Sequence, residues 1–110
     1  HRDLHSFPTR RSSDLEEVEN ALTAYSREQE RRDKLDRAAD LALQAESLAR
    51  KQYESGVKEF SNVLEAQRQL LAYRDELAQS DATVAENLIA LYKALGGGWS
   101  DTEKEQGRAL

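Results

Sequence analysis

An aliphatic residue returns at every seventh position over the second half of the chain: Val63, Leu70, Leu77, Val84 and Leu91. A helix turns once every 3.6 residues, so these side chains share one face, and a strict seven-residue repeat is the seam of a coiled coil. The repeat commits this stretch to a long helix with a partner. One residue along, Leu64, Leu71, Ala78, Ala85 and Tyr92 form a second column that widens the apolar face. A third column, Phe60, Gln67, Arg74, Asp81, Leu88 and Leu95, is polar in the middle and apolar at both ends. A helix so patterned is expected to have neighbours on two sides. Over residues 60–95 it would run about 54 Å at 1.5 Å per residue, too long for a compact domain of this size.

The partner lies upstream. Residues 16–52 are dominated by Ala, Leu, Glu, Gln, Lys and Arg, with no Gly or Pro, which predicts one unbroken helix. Its apolar positions Val18, Leu22 and Tyr25, and then after a polar middle Leu35, Ala38, Ala42, Ala45 and Ala49, step by three and four along one stripe. Alanine along much of that stripe would let a neighbouring helix approach closely, while residues 28–34 are almost wholly polar. Between the helices, residues 53–59 read Tyr-Glu-Ser-Gly-Val-Lys-Glu, and Gly56 is the only glycine between Glu16 and Leu95. Glycine adopts φ > 0 without the penalty a Cβ imposes, so Gly56 is expected to close the first helix and turn the chain back. Ser61 or Asn62 would cap the second helix. Gly96-Gly97-Gly98 are expected to stop it, with Trp99 as an isolated anchor and residues 100–110 as a polar tail. The fold class is therefore all-α, an antiparallel two-helix coiled-coil hairpin.

Residues 1–15 share none of this rhythm. The stretch 7–15, FPTRRSSDL, resembles the conceptual translation of a short-read sequencing adapter, so the first fifteen residues are set apart as an artefact expected to be disordered. Three arginines and two aspartates leave with them, and the net charge of −5 for the whole chain becomes −6 for the body. An acidic body speaks against nucleic acid, whose binders gather Lys and Arg on one face.

Chemistry is scarce as well. From Glu16 onward there is no His, Cys, Met or Pro. The commonest general base, the best metal ligands and the usual activated nucleophiles are missing, so no catalytic residue, metal site or cofactor is expected. The residues Glu16, Glu17 and Glu19 suit a helix N-terminus, and Gly96-Gly97-Gly98 lack the strand and the Lys-Ser/Thr of a phosphate loop. No run of about 18 apolar residues is present to span a membrane as a helix.

Three segments in order carry a family resemblance: Tyr53-x-x-Gly56, then Phe60-Ser61-Asn62-Val63-Leu64-Glu65-Ala66-Gln67-Arg68-x-Leu70, then Leu91-Tyr92-Lys93-Ala94-Leu95-Gly96-Gly97-Gly98-Trp99. Over residues 16–99 the chain resembles the C-terminal repeat of the TolC-like outer-membrane factors, most closely the NodT branch. The resemblance implies a fragment of a trimeric α-helical barrel, the periplasmic wall of a passive efflux channel in the outer membrane. It also implies a membrane-fusion adaptor and an inner-membrane pump as partners, with membrane contact only through a β-barrel that lies outside this chain. The turn would be the periplasmic tip, with Tyr53 and Lys58 at the entrance. Ser55-Gly56-Val57 would dock the adaptor, where the family often has Val-Gly-Leu. Upstream sequence is expected to encode a first helical repeat and the strands of the barrel.

A self-standing coiled-coil interaction protein or an adaptor hairpin would carry the same heptads and is the alternative. Lipoyl-like β-rich flanks would mark the adaptor, whereas two amphipathic strands would mark the channel. Under either reading the apolar columns containing Leu64, Leu71 and Leu88 need partners, so the isolated segment is expected to self-associate or to be only partly helical.

Overall fold

A computed structural model describes the backbone of residues 2–109 and the side chains of residues 14–96. Two α-helices make up the fold, α1 over Arg2–Glu54 and α2 over Phe60–Ala109, joined by a five-residue turn into a hairpin. The chain divides into two compact units, Glu28–Thr83 around the turn, and His1–Arg27 with Val84–Leu110 at the open end.

In the turn unit the inward positions of α1 are Glu28, Arg32, Leu35, Ala39, Ala42, Glu46 and Ala49, each buried or half-buried. They step by alternating threes and fours, the spacing of coiled-coil a and d positions. On α2 the buried residues are Val63, Leu70 and Ser80, with Ala66, Gln67 and Leu77 half-buried. Among the described residues, every fully buried side chain in the chain belongs to this unit. In the open-end unit the same spacing continues through Val18, Ala21 and Tyr25 on α1 and through Val84, Asn87, Leu91 and Ala94 on α2, all half-buried.

Several sequence expectations need correction. Leu22 and Ala45 are exposed, and Leu88 is half-buried rather than open. The inward place between Ala42 and Ala49 is taken by Glu46, whose carboxylate is paired with Arg50, rather than by Ala45, although both positions fit steps of three and four. Helix α1 reaches back to Arg2 and forward to Glu54, beyond the expected 16–52, and α2 runs through the Gly-rich segment to Ala109 instead of stopping at 95. The lack of an apolar period in residues 1–15 limits what a helix face can bury, not whether its backbone is helical, since propagation adds a hydrogen bond for each residue fixed. Glycine ends a helix by taking φ > 0; among the described residues only Gly56 does so, at 78°, and Gly96 does not. The side chains of Trp99 and of residues 100–110 lie outside the described residues.

Candidate functional site at the turn

Helix α1 ends in a Schellman motif. Gly56 stands at C′, and its N–H donates to the Tyr53 carbonyl at 3.0 Å; the Val57 N–H donates to the Gln52 carbonyl at 2.8 Å. The Gln52 carbonyl also accepts from the Lys58 N–H at 3.2 Å and from Ser55 Oγ at 3.1 Å. One oxygen therefore gathers three donors. The left-handed φ that the motif demands explains why the lone internal glycine sits where it does. Helix α2 starts one residue before the expected caps. Glu59 occupies the N-cap place, its carbonyl accepting from the Asn62 N–H at 3.1 Å, so Ser61 and Asn62 lie inside the first turn.

Two aromatic rings face each other across this turn. Tyr53, in the last turn of α1, and Phe60, the first residue of α2, have ring centroids 5.1 Å apart at a 57° tilt. That separation and angle suit the attraction between the edge of one ring and the face of the other. Neither ring is sunk in a core, since Tyr53 is 46% and Phe60 49% exposed. Val57 is 70% exposed, and Ser55 and Lys58 are also exposed. The structure thus brings Tyr53, Ser55, Gly56, Val57 and Lys58 together at one end of the hairpin, presenting side chains on a backbone that holds its own shape. Sequence reasoning placed Phe60 in an apolar column and missed its pairing with Tyr53. Reading the residue before Gly56 by three and the residue after it by four as the two ends of one closed turn would have found it.

Below the turn, the seam residues Val63 and Leu70 are buried, and Leu77, Val84 and Leu91 half-buried, each within its own unit. The other column of the α2 seam, three residues on, reads Ala66, Tyr73, Ser80, Asn87 and Ala94. Ser80 and Asn87 in this column bond to α1. Ser80, at 0% exposure, donates its hydroxyl to Glu28 Oε1 at 2.8 Å, and the same oxygen accepts from Arg31 Nη1 at 3.0 Å. Arg32 donates to the Asp81 carboxylate, and that bond together with the nearby negative charge raises the guanidinium further above its already high pKa. Buried Glu46 accepts from Arg50 one turn on. In the open-end unit Asn87 Nδ2 donates to the Ala24 carbonyl at 3.2 Å. No buried side-chain N or O is left without a partner among the described residues. These polar seam residues were not singled out from the sequence, although the column three residues after each seam aliphatic would have located Ser80 and Asn87.

The arrangement offers little to chemistry. Among the described residues no three His, Cys, Asp or Glu side chains are placed to hold a metal, and no helix is long and apolar enough to cross a membrane. Large apolar side chains remain uncovered: Leu41 and Leu48 on one flank of α1, and Leu64 and Leu71 on α2.

Comparison with known proteins gives consistent matches. The family model described as outer membrane efflux protein matches residues 7–97, a span that includes the segment 7–15. The pyoverdine export outer membrane protein OpmQ of Pseudomonas putida is 33% identical over 87 residues, covering 79% of this chain and 18% of its own length. Nodulation protein T of Rhizobium leguminosarum bv. trifolii is 32% identical over 90 residues, 82% of this chain and 19% of its own. The solved structure of the outer-membrane channel OprN superposes with a TM-score of 0.73 at 33% identity, over 87% of this chain and 22% of that one. This chain spans about a fifth of the length of the relatives it matches.

Proposed function

The chain belongs to the outer membrane efflux protein family, and on that premise we propose that it is a periplasmic wall element of an outer-membrane efflux channel, a conduit rather than an enzyme. The observation that carries this reading is the superposition of the hairpin on the OprN channel at 33% identity. The uncovered flank residues Leu41, Leu48, Leu64 and Leu71 support it, because a helix in a barrel wall has neighbours on both sides while a free-standing two-helix coiled coil does not. The full-length protein is a homotrimer that joins a membrane-fusion adaptor and an inner-membrane pump. It meets the outer membrane through a β-barrel outside this chain. The adaptor-hairpin alternative has no comparable support, since the matched family and structure are those of the channel.

Within this reading the turn is the periplasmic tip. Tyr53 and Lys58 line the entrance, and Ser55, Gly56 and Val57 meet the adaptor. The segment 1–15 remains set apart from this function. Both entrance residues stand at an exposed turn, so replacing them costs little stability. The test is the conductance of the full-length protein in planar bilayers, with its thermal midpoint, for Tyr53→Ala combined with Lys58→Ala. Raised conductance at an unchanged midpoint is expected. Unchanged conductance at a lowered midpoint would return both residues to closing the helix end.

A further inference from the structure

We infer that Phe60 is a positioning residue for the tip, fixing the ring of Tyr53 at the entrance; the inference rests on the proposed function of the turn. Tyr53 has two rotatable bonds between its ring and a backbone that the Schellman bonds already fix. Its exposure leaves no surrounding core to select a rotamer. The ring contact that the structure does supply is Phe60, at 5.1 Å and 57°, on the first residue of the opposite helix. Phe60 is fixed in turn. Its Cα begins α2, and the Asn62 N–H bonded to the Glu59 carbonyl holds the helix start against the turn.

The pair is built across the turn rather than along a helix. A ring on α2 thereby orients a ring on α1, and the aromatic surface at the tip is shared between the two helices of the hairpin. Removing Phe60 would leave the backbone bonds of the turn intact, because each runs between main-chain groups or through Ser55 Oγ. It would free Tyr53 to leave its place. A role in general stability would instead lower the melting point and leave the position of the Tyr53 ring without consequence.

The test is a cycle in the full-length protein: Phe60→Ala, Tyr53→Ala, both together, and Phe60→Tyr as the variant that keeps a ring. Bilayer conductance and thermal midpoint are read for each. Phe60→Ala is expected to raise conductance by a factor close to that of Tyr53→Ala, the double variant to go no further, and Phe60→Tyr to match the parent. A normal conductance for Phe60→Ala beside a raised one for Tyr53→Ala overturns the positioning role and leaves the tip reading standing. Equal fold-changes for Phe60→Ala with and without Tyr53 also overturn it, because the two rings would then act independently. An inert Tyr53→Ala removes the entrance reading itself, and the positioning role falls with it.

Discussion

The two units of the hairpin share one spacing and differ in what it achieves. Both step by threes and fours, yet in Glu28–Thr83 the seam includes side chains at or near zero exposure, whereas at the open end every inward described residue is only half-buried. Spacing therefore sets which residues face inward, and composition sets how completely they are enclosed. Around the turn α1 contributes Ala39, Ala42 and Ala49, whose small side chains suit close approach, and α2 answers with Val63 and Leu70. At the open end the inward places include Tyr25 and Asn87, and Asn87 bonds to the Ala24 carbonyl.

The sharpest way to break this contrast is a charge in each seam. Val63→Asp, at 1% exposure, should cost about 3–5 kcal/mol because it leaves an unpaired carboxylate buried. Leu91→Asp, half-buried, should cost roughly a third of that or less, since water reaches the new charge. Native-state amide exchange in the full-length protein reads the two units separately. Equal losses at both sites would erase the distinction between them.

A smaller effect is expected at the polar bond between helices. Glu28→Ala should cost about 1–3 kcal/mol, because it strands the hydroxyl of fully buried Ser80. Ser80→Ala should cost less, since Glu28 keeps Arg31. Exchange in the turn unit should rank the two in that order, and the reverse order would mean that Ser80 finds another acceptor.

Smaller again, and opposite in sign, are two glycine replacements. Gly56→Ala should cost about 1–2 kcal/mol, because φ of 78° is hostile to an L side chain although nothing stands within 4 Å of the new Cβ. Gly96→Ala should stabilise by about 0.5–1 kcal/mol, because the residue is helical and its Cβ would also meet open space. Thermal midpoints moving in opposite directions are the expected outcome. The least effect belongs to Arg32→Gln. The Arg32 to Asp81 pair lies at the exposed margin of the seam, and such pairs contribute little to stability, so the midpoint should hardly move.

How much of this was legible depends on which residues carry the period. The α2 seam could be read because Val63, Leu70, Leu77, Val84 and Leu91 are all aliphatic, and the turn because Gly56 has no glycine near it. The α1 seam was legible only in part, since Glu28, Arg32 and Glu46 occupy inward places and disguise the repeat as a polar surface. Ser80 and Asn87 hid the companion column of α2 in the same way. The Gly-rich segment misled for a different reason. Glycine permits φ > 0 but does not compel it, and only the hydrogen bonds around Gly56 distinguish a helix end from a helix that passes through.

The carbonyl of Gln52 separates the shape of the turn from the surface it presents. Because the turn is fastened by amides converging on that oxygen, its contour is encoded in the main chain and in one glycine, with the Ser55 hydroxyl as an addition. The side chains of Val57 and Lys58 take no part in those bonds, so the contour of the turn does not depend on what they are.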